Sequence, residues 1–307
     1  MSTEGGARAI VAAFAANLGI AVAKIIGFLI TGSSSMLAES IHSLADTGNQ
    51  GLLLLGRRRS RRLADVEHPF GYGRERFFWA FVVALVLFTL GSMFAIFEGI
   101  EKILHPHAVE SPLVAVVILG VAMLLEGYSM RTALHEAGDG SRSNGLFTFI
   151  RRTKVPELPV VLLEDFGALV GLVIALVALL LSWHVDPIYD GIGTLAIGVL
   201  LGLIAIVLAV EMKSLLIGEG ASDSDLEKII GAIVGTDVVA GLIHLRTEHL
   251  GPEDILVAAK IAFEANLDLT TVARGIDEVE RNIRAVVPEA RLIYLEPDLY
   301  RERLLDP

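Results

Sequence analysis

The sequence predicts an α-helical membrane protein with six transmembrane helices, followed by a small cytoplasmic α/β domain. Hydrophobic residues make up 53% of the 307-residue chain, and its mean hydropathy is +0.63. The first part of the chain contains six apolar runs of the length that crosses a bilayer, about 20 residues. After Lys213 the apolar runs end and charged residues become frequent. These observations together favour a membrane domain over residues 1–212 and a water-exposed domain over residues 213–307.

The membrane domain is defined by its apolar runs. They lie at about 9–32, 34–56, 77–99, 112–135, 159–183 and 188–212. The segment before the first run, MSTEGGAR, lacks the apolar region and small-residue cleavage site of a signal peptide, so we expect the first run to remain in the membrane. The chain contains no cysteine, which excludes disulfides and thiolate metal ligands.

Basic residues in the short connections set the orientation. The third connection has only one basic residue, Lys102, and the fifth has none. The second connection is rich in basic residues: Arg57, Arg58, Arg59, Arg61, Arg62, Arg74 and Arg76. The fourth carries Arg142, Arg151, Arg152 and Lys154. Such connections stay in the cytoplasm, so both termini are predicted to be cytoplasmic, in the plasma membrane. The Arg57–Arg62 run is also compatible with anionic lipid or nucleic acid, and we interpret it as a topological anchor.

The C-terminal domain reads as a compact αββαβ unit. Residues 213–307 hold 18 acidic and 10 basic side chains, a net charge of −8, which argues against nucleic acid as a partner. The predicted elements are a helix capped by Ser222, a hairpin of two strands, a charged helix and a third strand: Ser222–Gly235, Val238–Glu248, Ile255–Glu264, Leu269–Val287, Arg291–Glu296. This order fits a ferredoxin-like sheet with both helices on one face.

A polar stripe interrupts the second apolar run. Glu39, His42, Asp46 and Gln50 recur at three- and four-residue spacing, so they share one face of a helix. Ionisable groups inside a membrane are costly and indicate a functional site. The fifth run carries a second acidic pair, Glu164–Asp165. A polar seam between helices is the alternative, but His with carboxylates favours a metal site.

Three segments resemble the cation diffusion facilitator family of metal/proton antiporters. SMLAESIHSLADTGNQ is similar to its second-helix metal motif, HPFGYGRERFFWAF to the entry of its third helix, and HLRTEHLGPEDILV to its tail-domain hairpin. PVVLLEDFGALVG resembles the zinc-transporter-nine-like branch. The resemblance implies a transport site at His42, Asp46 and Asp165, and a homodimer held through the C-terminal domain.

The fifth helix departs from the family pattern. Where the family has a histidine four residues before its aspartate, this chain has Val161 before Asp165. Glu39 and Glu164 are the candidate replacements. Glu164 lies about 100° around the helix from Asp165, and it could equally pair with a basic group such as Lys24.

The family's loop site between the second and third helices is also incomplete. Asp65 and His68 match its ligands, but Tyr72 replaces a second histidine. Two ligands seldom hold zinc tightly, so we interpret His68 as a turn or entrance residue.

The tail-domain site is reduced in the same way. His244 matches and Glu296 lies near the expected carboxylate, whereas ligands are missing at Lys260, Ala273 and Tyr294. We therefore predict no tight dinuclear site, and we interpret His249 as an exposed loop histidine.

The resemblance implies a transporter rather than an enzyme, without a resident cofactor. Its partners are the lipid bilayer, protons and a divalent cation, with Zn²⁺ first and Mn²⁺, Fe²⁺ or Co²⁺ open, because ligand softness shifts preference without fixing it. Two other classes stay open. A non-transporting scaffold or metal-sensing interaction protein fits the incomplete accessory sites. A membrane-embedded metal hydrolase is disfavoured because no HExxH pattern occurs.

Overall fold

The computed structural model describes residues 10, 11, 14, 15, 17–22, 25, 26, 29, 34–106, 112–137, 150 and 153–298, without the side chains at 34–43, 45, 46, 86–88 and 114. The chain divides into two compact units. The first comprises Met1–Arg62 and Glu75–Lys213, and the second comprises Leu63–Arg74 and Ser214–Pro307. The loop over residues 63–74, which lies between two helices of the first unit, therefore groups with the C-terminal domain.

Long helices build the first unit. In chain order these are α1 (Ser34–Ser60), α2 (Glu75–Val82), a π-helical segment (Val83–Phe88), α3 (Thr89–Leu104), α4 (Pro112–Ala137), α5 (Glu157–His184) and α6 (Ile188–Ile217). Within the described part of the chain, four segments are long and apolar enough to cross a membrane: Glu75–Leu104, Ala115–His135, Glu157–His184 and Ile188–Ile217.

The predicted count of six spans stays a prediction. The first run, 9–32, lies partly outside the described residues. Helix α1 covers the second run but is not among the four apolar segments. Its composition explains this, because it carries the polar stripe and ends in Arg57, Arg58 and Arg59.

Glycines bring α3 and α6 into close contact. A Cβ added to Gly99 would lie 2.5 Å from the backbone nitrogen of Leu195. The Ser92 hydroxyl donates to the carbonyl of Gly198 at 2.7 Å. Small residues at such crossings let helix backbones approach in a membrane. Asp186 caps α6, since its carboxylate accepts from the Ile188 N–H at 2.9 Å.

The second unit has the predicted αββαβ order. It contains α7 (Asp223–Val234), β1 (Val239–Gly251), β2 (Asp254–Phe263), α8 (Leu269–Val286) and β3 (Leu292–Asp298). Strand β2 is central, pairing antiparallel with β1 and parallel with β3. The Ser222 side chain caps α7 by accepting from the Asp225 N–H, as predicted.

One apolar core forms between the helices and the sheet. It joins Ile229 and Ile233 of α7 and Val279 and Ile283 of α8 with alternate residues of β2: Ile255, Val257, Ala259 and Ile261. Because residues two apart in a strand share a face, both helices cover the same side of the sheet. The opposite side carries the predicted tail-domain site.

Candidate metal centre

The polar stripe of α1 keeps its helical spacing in the structure. Positions 39, 42, 46 and 50 all lie within Ser34–Ser60. The side chains of Glu39, His42 and Asp46 are outside the described part of the structure. Among the described residues, no three His, Cys, Asp or Glu side chains come together as a metal site. The set His42, Asp46 and Asp165 therefore stays a prediction.

Amide side chains of α1 bind Glu164 of α5. The fully buried Gln50 donates from Nε2 to Oε2 of Glu164 at 2.7 Å, and Asn49 donates from Nδ2 to Oε1 at 3.3 Å. The Gln50 carbonyl oxygen in turn accepts from Asn17 at 3.4 Å. Both ends of the Gln50 amide are thus engaged by neighbouring helices. Glu164, a candidate ligand, is held against α1 by two neutral donors.

Asp165 lies in a different environment from its neighbour Glu164. It is buried, with 4% of its surface exposed, and its Oδ2 has no hydrogen-bond partner among the residues the structure describes. The side chains that act on it come from α4, where Ser129 is hydrogen-bonded to it and Glu126 acts through its charge. A buried carboxylate oxygen without a donor is energetically costly. Asp165 is therefore the described carboxylate best suited to receive a cation.

The position one turn before Asp165 offers no ligand. Val161 occupies it and is 1% exposed, within an apolar patch that includes Val160 and Leu162. In place of a histidine nitrogen, the Val161 side chain offers only apolar packing. The candidate donors of α5 near this position are therefore the carboxylate oxygens of Glu164 and Asp165.

A buried ion pair fixes the start of α5. Arg76 donates from Nε to Oε1 of Glu157 at 2.5 Å and from Nη2 to Oε2 at 2.7 Å. The two side chains are 5% and 1% exposed. Glu157 lies about two turns before Glu164 and Asp165, so the bidentate pair sets the rotation of the helix segment that carries them.

The candidate loop site is closed by a tyrosine. The Tyr72 hydroxyl donates to Oδ2 of Asp65 at 2.7 Å, and the His68 N–H donates to Oδ1 at 2.7 Å. The rings of His68 and Tyr72 lie 4.4 Å apart. The hydrogen bond from Tyr72, with that from His68, lowers the pKa of Asp65. The Asp65 carboxylate is therefore stabilised as an anion by the loop itself.

The loop is tied to the hairpin of its own compact unit. Arg74 forms an ion pair with Glu248 of β1. A Cβ on Gly73 would lie 2.6 Å from the carbonyl oxygen of Leu250, so only glycine fits this backbone contact. The loop and the hairpin end are thereby joined by charge and by close packing.

The candidate tail-domain site contains an internal cation. Lys260 Nζ lies 3.1 Å from Oε1 of Glu296 and 3.4 Å from Oδ2 of Asp298. The hydrogen bonds that Lys260 donates, first to Glu296 and then to Asp298, raise the pKa of Lys260. His244 is exposed, and its Nε2 accepts from Arg246 Nε at 2.8 Å. A lysine ammonium therefore takes the place that a metal ion would need beside Glu296.

The interpretation of His249 as an exposed loop residue is wrong. Strand β1 extends to Gly251, beyond the predicted end at Glu248. His249 is 5% exposed, its N–H donates to the Glu219 carbonyl at 2.8 Å, and its Nδ1 lies 3.3 Å from the Gly251 carbonyl oxygen. The segment preceding α7 covers this strand end, which buries the ring.

Several contributing residues were not singled out in the sequence. Asn17 and Asn49 are polar residues within apolar runs, which is a readable signal. Glu157 and Arg76 are single opposite charges at the starts of two apolar runs, but Arg76 was assigned to a loop. Ser129 gives no signal, because serine is common in membrane helices.

Comparison with known proteins gives a consistent assignment. The family model described as the cation efflux transmembrane domain matches residues 10–217. The proton-coupled zinc antiporter SLC30A9, mitochondrial, of Xenopus laevis is 31% identical over 279 residues, which cover 90% of this chain and 49% of the relative. Metal tolerance protein C4 of Arabidopsis thaliana is 33% identical over 263 residues, which cover 85% of this chain and 58% of the relative. The chain thus spans about half the length of these relatives.

Shorter relatives match over more of their length. The cation-efflux pump FieF of Cronobacter sakazakii is 28% identical over 291 residues, which cover 93% of this chain and 90% of the relative. A solved structure titled MamM-CTD covers 26% of this chain and 94% of its own, at 19% identity and a TM-score of 0.25, which is too weak a likeness to support any assignment. The family match covers more than half of the sequence and includes all the candidate membrane ligands. The chain therefore belongs to the cation efflux family, the cation diffusion facilitators.

Proposed function

We propose that this chain exports a divalent transition-metal cation, Zn²⁺ first, from the cytoplasm in exchange for protons. The observation that carries the proposal is Asp165, a buried carboxylate in an apolar span, with one oxygen that has no donor among the described residues. His42 and Asp46, four residues apart in α1, supply the remaining ligands of the proposed site.

Exchange for protons follows from the ligand chemistry. Imidazole and carboxylate bind a metal ion only when deprotonated, so metal binding releases protons. His42 belongs to the residue type that titrates nearest physiological pH. A site that opens alternately to each side then carries metal outward and protons inward, by rocking of helices about a site near the midplane.

The choice of metal follows from the donors. One imidazole nitrogen with several carboxylate oxygens is a harder set than a histidine-rich zinc site, so Mn²⁺, Fe²⁺ and Co²⁺ are secondary candidates. The names of the Xenopus relative and of its human counterpart specify zinc and proton coupling. These names support Zn²⁺ as the first candidate.

Assembly and location are part of the same proposal. We place both termini in the cytoplasm, with the protein in the plasma membrane and two chains joined through their C-terminal domains. The arginines at the end of α1 support the orientation. The Xenopus relative is named as mitochondrial, so cell fractionation with an epitope tag is the experiment that separates the two locations.

Reconstituted flux tests the function directly. When Zn²⁺ is added outside liposomes that contain the purified protein and an internal pH dye, the lumen should become alkaline, because protons leave as the metal enters. His42→Ala should remove the signal. Mn²⁺, Fe²⁺ and Co²⁺ should be tested in the same assay. A protein that inserts and dimerises normally but moves neither metal nor protons would instead be the scaffold.

Glu39 and Glu164 compete for the role of the missing nitrogen ligand. Glu164 is already bound by Gln50 and Asn49, so we propose Glu39 as the replacement. Glu39→Gln should weaken metal affinity and change the pH dependence of flux more than Glu164→Gln does. The opposite order, measured by metal competition and flux at several pH values, would assign the role to Glu164.

A further inference from the structure

Asp165 is influenced from α4 and not only from its own helix. Ser129 is hydrogen-bonded to it, and the charge of Glu126 acts on it. The remaining carboxylate oxygen, Oδ2, lacks a donor within the described part of the chain, although Asp165 is only 4% exposed. An acceptor of this kind, buried and without a donor, indicates a place for a positive ligand.

Helix geometry brings Glu126 to the same place. Glu126 and Ser129 are three residues apart on α4, so their side chains lie on one helix face. Ser129 is 6% exposed and Glu126 is half-buried. Helices α4 and α5 pack against each other. Two carboxylates, Glu126 and Asp165, therefore approach each other from neighbouring apolar spans.

A cation would relieve the repulsion between these two carboxylates. Like charges at short range repel strongly where water is excluded, and each is costly in a membrane interior. A divalent cation between them would stabilise both. The neutral amides around Glu164, by contrast, already provide that carboxylate with donors.

We infer that Glu126 is a further ligand of the transported cation, supplied by α4 in addition to the ligands proposed on α1 and α5. This inference rests on the proposed transport function. It extends the site from two helices to three, with Ser129 positioning the Asp165 carboxylate between them. It also adds a hard oxygen donor, so Glu126 contributes to the choice of metal.

Metal affinity of the purified full-length protein tests the inference without transport. Binding of Zn²⁺ and of Mn²⁺ is measured by competition with a fluorescent chelator for wild type, Glu126→Gln, Asp165→Asn and the control Glu98→Gln. Glu98 is an acidic residue of α3 that pairs with Lys102 at 3.3 Å. Since loss of even an outer-shell partner weakens metal sites about 10–100-fold, Glu126→Gln should raise the Kd for Zn²⁺ at least about tenfold. Glu98→Gln should leave it unchanged.

A second variant separates a ligand from a structural role. Glu126→His keeps a donor but makes it softer, so it should bind Zn²⁺ while losing Mn²⁺ affinity, which a packing defect would not do. Unchanged Zn²⁺ and Mn²⁺ affinities in both Glu126 variants, with loss of affinity in Asp165→Asn, would overturn the role of Glu126 alone. Unchanged affinity in Asp165→Asn would overturn the proposed site itself.

Discussion

Carboxylates in the two compact units differ in the hydrogen-bond and ion-pair partners that the fold provides for them. In the membrane unit, Asp165 is buried and keeps one oxygen without a donor among the described residues. In the second unit, Asp65 accepts hydrogen bonds from Tyr72 and from the His68 N–H, and Glu296 lies 3.1 Å from the Lys260 ammonium. The two exposed carboxylates have internal partners, and the buried one is incompletely satisfied.

This difference supports Asp165 as the carboxylate that we propose binds the cation. A carboxylate that already accepts from a hydroxyl or an ammonium must lose that partner before it binds metal. Oδ2 of Asp165 has no such partner to lose among the described residues. Because the surrounding apolar span has a low dielectric constant, the attraction of Asp165 for a cation is stronger. The internal donors in the second unit stabilise its loop and its sheet edge without metal. Metal dependence should therefore be concentrated in the membrane unit.

The largest expected effect is the loss of transport in Asp165→Asn. The neutral amide keeps the shape of the side chain but removes the charge that we propose holds the cation, so metal-driven proton flux in liposomes should fall by about 10–100-fold or more. Asp65→Asn is the matched control, since Tyr72 and His68 already occupy that carboxylate, and its flux should stay close to wild type. Equal losses of flux in the two variants would contradict the proposed difference between the buried Asp165 and the exposed Asp65.

The next effect concerns stability. Arg76→Ala leaves Glu157 buried and unpaired, which should cost about 3–5 kcal/mol of unfolding free energy. Arg74→Ala removes a partner from the Arg74–Glu248 pair, whose side chains are 43% and 37% exposed, and should cost about 1 kcal/mol or less. Denaturation of the purified protein measures both. Similar losses would mean that burial does not distinguish the two ion pairs.

The C-terminal fold was predictable because its signals are local. The cap at Ser222, the alternation of β2 and the turn after Gly251 lie within a few residues of the elements they define. Predicted and observed ends differ by few residues, except at β1. There the strand continues to Gly251 and buries His249, since coverage by the Glu219 segment is a tertiary contact that the local sequence does not encode.

The membrane site was predictable only in part. The spacing of His42 and Asp46 and the acidic pair on α5 are visible in the sequence. Which way each acid faces depends on the rotation of α5 against α1 and α4, so the binding of Glu164 by Gln50 was not predictable. The pairing of Arg76 with Glu157 has the same origin, because it joins residues far apart in the sequence.

A smaller effect should follow from restoring a donor to the loop. Tyr72→His would place a second histidine beside Asp65 and His68, and three protein ligands with water complete a zinc site. The variant should bind about one additional Zn²⁺ per chain relative to wild type, measured by calorimetry on the full-length protein. Tyr72→Phe is the control.

Tyr72→Phe also tests the hydrogen bond alone. The bond from Tyr72 lowers the pKa of Asp65, so its stabilising contribution is present above the unfolded pKa and is lost as pH falls through the folded value. Tyr72→Phe should raise the pKa of Asp65 in an NMR titration and bind no added Zn²⁺. Extra Zn²⁺ bound by Tyr72→Phe would show that Asp65 and His68 suffice.

The smallest effect is expected in the C-terminal domain. The fragment 213–307 should fold without metal because Ile229, Val257 and Ile283 form an apolar core. Zn²⁺ should shift its melting temperature only slightly, since stabilisation scales as RT ln(1 + [L]/Kd).

The pKa of Lys260 is raised, so the contribution of Lys260 to the stability of the domain is present below the unfolded pKa and is lost as pH rises through the folded value. Lys260→Ala removes the ammonium beside Glu296 and should increase the Zn²⁺ shift at neutral pH. Calorimetry that detects two tight Zn²⁺ ions in the unsubstituted fragment would refute the internal-cation interpretation, because metal would then bind beside Glu296 despite Lys260.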